Sequence, residues 1–111
     1  MSKDNVNTPP PIRIKDIPMR GYKFGLRHEL VYQPIPDPDT SGHFMVHDPD
    51  LDFTESAKDL SDLEFRVREN LSFLFAEYAF ADPSSLTPDA AALRVKLRDL
   101  LFFDRQDLQG V

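Results

Sequence analysis

Between Leu26 and Ile35 the chain alternates strictly. Leu26, His28, Leu30 and Tyr32 fall on one face of an extended strand, and Arg27, Glu29, Val31 and Gln33 on the other. The turn-forming run Pro36-Asp37-Pro38-Asp39-Thr40-Ser41-Gly42 follows. His43–His47 is a second strand, with Phe44 and Val46 sharing a face, so the two segments predict a β-hairpin with a longer loop. Asp48, Pro49 and Asp50 interrupt again, and Leu51, Phe53 and Glu55 predict a third, short strand. Ahead of these, Ile12–Ile17 alternates apolar and charged residues until Pro18 ends the strand or confines it to an edge. Gly21 and Gly25 flank Tyr22–Phe24, which predicts a turn or irregular link.

The period then changes from two to about 3.6. Leu63, Val67, Leu71, Leu74 and Tyr78 form one helical stripe, with Glu64, Arg66, Arg68 and Glu69 making much of the opposite face. Ser61-Asp62-Leu63-Glu64 matches a capping box, in which Ser61 takes a free helix N–H and Glu64 reaches back. Asp82-Pro83-Ser84-Ser85 ends this helix. A second begins with Thr87 as cap and Pro88 in the first helical position, and its stripe is Leu93, Leu97, Leu100 and Leu101. The expected fold is α+β: a small antiparallel sheet of about three strands packed against one long amphipathic helix, plus a second, C-terminal helix. Residues 1–11, polar and ending in three prolines, predict a disordered N-terminal arm. Residues 12–103 are expected to form a single domain, and residues 104–111 a polar tail.

Composition narrows the chemistry. A chain of 111 residues suits one small domain, and with no cysteine it has neither disulfides nor thiolate metal sites nor a cysteine nucleophile. The net charge is −6, and the Lys and Arg residues are scattered among acids, which disfavours direct nucleic-acid binding. An acidic surface suits a basic protein partner met by electrostatic steering. No apolar run is long enough to span a bilayer, and the first residues lack the apolar core of a signal peptide, so a soluble, cytoplasmic protein without membrane contact is expected.

Three constellations invite a chemical role. Asp37-Pro38-Asp39-Thr40-Ser41-Gly42, continuing through His43 to Asp48, overlays a calcium-loop template. Against it stand Asp48 where a bidentate Glu belongs, Pro38 inside the loop, and Pro34 and Pro36 in place of an incoming helix; a hairpin turn is the favoured reading. His28, His43 and His47 with Asp48, Asp50 and Asp52 resemble a metal set in composition. On a strand, however, His43 and His47 stand well apart, whereas ligands must converge on one ion. Asp48, Asp50 and Asp52 alternate and would share a side in an extended chain, yet Asp50 between Pro49 and Leu51 suits a turn. Tyr22, Lys23, Phe24 and Arg27 mix aromatic and basic residues, for which core packing is favoured over stacking on nucleic acid. No nucleophile elbow and no phosphate-binding glycine loop is present, so no catalytic residue, cofactor or metal is assigned. The aromatic excess on the first helix is more telling. Phe65, Phe73, Phe75 and Phe80 exceed what one small sheet can cover, which points to a homodimer or partner surface; with Asp48 and Asp50 they form the candidate interface.

The segment from Leu30 to Tyr78 resembles the HicB-like antitoxin domain. The parts that carry the resemblance are a strand at Leu30–Ile35, an acidic turn at Asp37–Gly42, and a strand at Phe44–Leu51 ending in Pro49-Asp50-Leu51. A short strand at Asp52–Ala57 and an amphipathic helix at Leu63–Tyr78 complete them. Lys58–Glu64 stands where the family has its turn into the helix. Asp52-Phe53 replaces the family's Gly-Cys, Phe65 lies near its usual Ala, and Thr87–Phe103 supplies a single helix where a ribbon-helix-helix or helix-turn-helix is common. The resemblance covers a little under half the chain. It implies a partial ribonuclease-H-like fold without catalysis and the capping of a small, basic, RNA-cleaving partner; operator binding is not carried over. Two other readings stay open: a self-associating structural or secretion-chaperone-like protein, and a weak metal binder using the Asp37–Asp52 region.

Overall fold

The computed structural model describes residues 8–19 and 22–101, the side chains of Met19 and Tyr22 excepted. The polar tail, Gly21 and the first seven residues of the expected arm lie outside the described residues. The architecture is α+β, with a two-stranded and a three-stranded antiparallel sheet, a long helix and a C-terminal helix. Strand β1 is Ile12–Met19 and β2 is Tyr22–Tyr32; these two pair with each other. Strands β3 (Ile35–Pro36), β4 (Phe44–Asp48) and β5 (Phe53–Ala57) follow in spatial order β3-β4-β5. Helix α1 runs over Leu60–Leu74 and continues as a π-turn over Phe75–Ala79, a short 3₁₀ turn covers Pro83–Ser85, and helix α2 is Pro88–Leu100.

Three expectations need correction. Tyr22–Phe24 belong to a strand rather than a link: Gly25 sits inside β2, where an edge position tolerates it. Pro18 lies within β1 and does not end it, and β1 is an edge strand, one of the two outcomes expected of that proline, since every strand of a two-stranded sheet has a free side for a residue that lacks an N–H. The expected hairpin is also smaller. Only Ile35 and Pro36 pair with Met45 and Phe44, while Tyr22–Tyr32 pairs with β1. Pro34, which has no N–H to donate, stands where the long strand breaks. Finally, Ser61 is not the cap of α1. The Leu63 N–H already donates to the Asp59 carbonyl (2.9 Å), so the helix starts at Leu60 and Ser61 lies in its first turn. Glu64 turns forward to Arg68 (3.0 Å) instead of back.

The chain divides into two compact units, each assembled from separate segments: residues 1–14 with 30–70, and residues 15–29 with 71–111. The first unit is built on the β4–β5 hairpin. Its register places Phe44, Val46 and Asp48 opposite Ala57, Glu55 and Phe53, so these six share a face. Val46, Phe53 and Ala57 are buried there, as are Ile12, Ile14, Tyr32, Leu51, Leu63 and Val67 elsewhere in the unit. Each fully buried Leu or Val contributes about 1.5–3 kcal/mol over an exposed one. Helix α1 is tied to the strands by Asn70, which donates to Glu55 (2.6 Å), and by Arg68, which donates to the Arg13 carbonyl (3.1 Å). Pro9, expected in a free arm, accepts a hydrogen bond from Gln33 (2.8 Å).

The second unit has its own core: Ile17, Leu71, Leu74, Phe75, Ala79, Leu97 and Leu101. Thr87 caps α2 as expected, its hydroxyl accepting from the Ala90 N–H with Pro88 in the first turn. Asp82 likewise caps the 3₁₀ turn through the Ser84 N–H (3.0 Å). Three arginines satisfy carbonyls that helix ends leave without partners. Arg98 donates to Ala79 (2.9 Å), Arg94 to Ala81 (3.1 Å) and Arg27 to Leu101 (3.1 Å). Phe24 and Phe80 pack ring to ring with centroids 5.3 Å apart, and the Arg98 guanidinium lies 5.6 Å from the Phe80 centroid.

Candidate interaction surface

The acidic residues of the hairpin are turn builders before they are anything else. The Asp48 Oδ1 accepts from the N–H groups of Asp50 (2.9 Å) and Leu51 (3.0 Å), which folds Pro49–Asp52 into a four-residue turn. Asp52 closes that turn at φ +57°, a left-handed conformation that Asp tolerates better than most residues. Asp48, Asp50 and Asp52 are therefore not displayed along one side of an extended strand. The other Asp48 oxygen accepts a 2.6 Å bond from the Tyr32 hydroxyl. Burial, then that bond and the nearby negative charges of Asp48 and Asp50, push the Tyr32 phenol far above its ordinary pKa, so it stays a proton donor.

The longer loop before β4 is organised the same way. Its closing bonds run from the Asp37 N–H to the His43 carbonyl (2.9 Å) and from the His43 N–H to the Thr40 carbonyl (3.2 Å). Gly42 supplies the left-handed residue at φ +83°. One Asp37 oxygen accepts from the Asp39 N–H (2.8 Å) and the other from the Ser56 hydroxyl (2.6 Å). The Ser56 bond, followed by the Asp39 backbone bond, holds this carboxyl below its usual range. Among the described residues no three His, Asp or Glu side chains are grouped so as to hold one metal ion. His47 instead meets Thr54 across the hairpin (2.8 Å), its register partner.

The phenylalanines separate into three kinds. Phe75 is fully buried in the core of the second unit and is removed from the candidate interface. Phe75 stands four residues after buried Leu71 and so shares its helical face, and Ala79 on the π-turn is buried after it. Phe80 is half-buried against Phe24 and Arg98. Phe65 in the first unit and Phe73 in the second remain 59% and 56% exposed. Of the acids, Asp50 is exposed and Asp48 half-buried.

Charge is distributed as unevenly as the aromatics. Among the described residues the first unit holds ten Asp and Glu against four Lys and Arg, whereas the second holds six of each, so the excess of negative charge there belongs to the first. The units interleave in sequence, so the segregation does not show along the chain. Sequence reasoning also missed the Asn70–Glu55 and Tyr32–Asp48 pairs, each between residues 15 and 16 positions apart, for which periodicity carries no signal. No helix among the described residues is long and apolar enough to cross a membrane. The fold and surface define an acidic α+β protein. No family model, no curated protein and no solved structure matches the chain.

Proposed function

We propose that this protein is a non-catalytic, cytoplasmic protein-binding module that caps a small basic partner, the role implied by its resemblance to HicB-like antitoxins. One observation carries the reading: among the described residues the whole excess of negative charge falls in the unit that contains the hairpin and the first part of α1. A surface of that kind steers a basic protein toward that unit and speeds its association. The acids there are also held in place, Asp37 by Ser56 and Asp48 by Tyr32, so little side-chain freedom is lost on binding. The test is a tagged pull-down from the native host, with mass spectrometry and light scattering on the same eluate at low and high salt. A stoichiometric small basic protein that leaves as salt rises supports capping. A salt-insensitive complex, or no basic partner, refutes it.

A second reading rests on Phe65 and Phe73, each more than half exposed on α1. Isolated exposed apolar residues are ordinary, but two large aromatics on one helix favour self-association. A molar mass of two chains that falls to one on Phe65→Ser or Phe73→Ser supports a homodimer; an unchanged monomer excludes it.

A further inference from the structure

The three-stranded sheet has two edges of different character. At one edge β3 is two residues long, contains Pro36 and follows Pro34, and proline blunts an edge by removing backbone donors. At the other edge β5, Phe53-Thr54-Glu55-Ser56-Ala57, has no proline, glycine or lysine. Alternate residues of such a strand turn their N–H and C=O away from β4. Among the described residues no hydrogen bond joins the β5 backbone to any segment other than β4. An open row of this kind is a template for another strand.

Charge selects what it receives. Exposed Asp50 and Asp52 lie in the turn that leads into β5, and Asp37 is fixed on Ser56 near its other end. A second copy of the chain would bring another unit of the same excess negative charge against this one, and in a symmetric pairing Glu55 would approach its own counterpart. We propose that the open edge of β5 takes an extended, Lys- or Arg-bearing segment of the basic partner by strand addition. Backbone hydrogen bonds from β5 hold the segment, and Asp37, Asp50 and Asp52 select its charge. This rests on the capping reading and assigns it a location.

The test uses the full chain, isotope-labelled, with a short end-capped peptide of alternating lysine and valine as the probe. Its comparators are the same peptide N-methylated at alternate residues and one in which glutamate replaces lysine. Binding should shift the amide signals of Thr54 to Ser56. Each comparator should bind roughly tenfold more weakly or worse, since one lacks backbone donors and the other has the wrong charge. Thr54→Pro should abolish binding with the circular dichroism retained; the N-methylated peptide tests the same point if that variant fails to fold. Lysine-peptide shifts confined to the helix around Phe65 overturn the edge assignment and leave the capping reading standing. Equal binding of the glutamate peptide overturns both. No binding at millimolar peptide, or Thr54–Ser56 shifts that follow protein concentration without peptide, overturns strand addition by a basic segment.

Discussion

The two units reach stability by different means. In the first, three acids are held by neutral donors, Asp37 by Ser56, Asp48 by Tyr32 and Glu55 by Asn70, and two more pair with arginine, Asp62 with Arg66 and Glu64 with Arg68. In the second, positive and negative charges balance, and arginines spend their donors on backbone carbonyls at helix ends. A carboxylate bonded to a hydroxyl or amide keeps its full negative charge, whereas one paired with arginine is neutralised. The neutral-donor bonds of the first unit therefore leave those three charges intact, and the second unit has no excess charge to leave. Hydrogen bonds of similar length thus differ in the charge they leave uncompensated.

The largest expected effect tests the second core. Phe75→Ala removes a fully buried aromatic and should cost about 3–5 kcal/mol in urea unfolding. Leu63→Ala, equally buried in the first unit, should cost about 2–5 kcal/mol. If the two changes melt separate parts of the amide exchange pattern, the units are independent in stability as well as in composition. If both lower protection everywhere, they unfold as one.

Next come the polar fasteners. Tyr32→Phe deletes a bond to a carboxylate and should cost about 1.5–3 kcal/mol by chemical denaturation. Because the folded state raises the Tyr32 pKa, the stability linked to that phenol is complete below about pH 10 and declines as pH rises further. The wild-type chain should lose this contribution in alkali, and the Phe variant should have none to lose. At the β4–β5 turn, Asp52→Val forces a branched side chain into left-handed backbone and should cost about 1–2 kcal/mol, whereas Asp52→Gly should be near neutral. Equal melting temperatures for the two would mean that the turn relaxes.

The smallest effect is the most specific to the acidic unit. The lowered Asp37 carboxyl contributes stability that is complete above its unfolded-state pKa and lost as pH falls through the lower folded value. Ser56→Ala removes the first cause of that lowering, so an NMR titration should find Asp37 moved back up toward its ordinary value. No movement would show that the backbone bond from Asp39 is sufficient.

Much of the fold is legible in the chain because it follows short-range rules. The stripe Leu63-Val67-Leu71-Leu74 is buried throughout, Thr87 and Pro88 open α2, and Asp48-Pro49-Asp50 makes a turn. What was misjudged depends on distant partners. Glycine at position 25 resembles a break until a neighbouring strand is there to hold it. Ser61 matches a capping box, yet the bond from the Leu63 N–H to the Asp59 carbonyl starts the helix two residues earlier. Phe75, four residues after Leu71, shares the stripe's face, but whether it meets the core or a partner depends on what packs there. Of the candidate interface, the exposure of Phe65 and Phe73 follows from their place opposite the stripe. The segregation of charge was invisible because each unit is discontinuous in sequence.

The π-turn has a consequence for the length of the chain. A π-turn holds one residue more than an α-helical turn, so the segment Phe75–Ala79 contains a spare position. Removing Ala76 should let that turn close as ordinary α-helix and leave the stripe before it in phase. Removing one residue between Leu63 and Leu71 instead rotates everything downstream by about 100° and carries Leu74 out of the core. The helix thus has a single place where the protein can shorten without re-threading its interior.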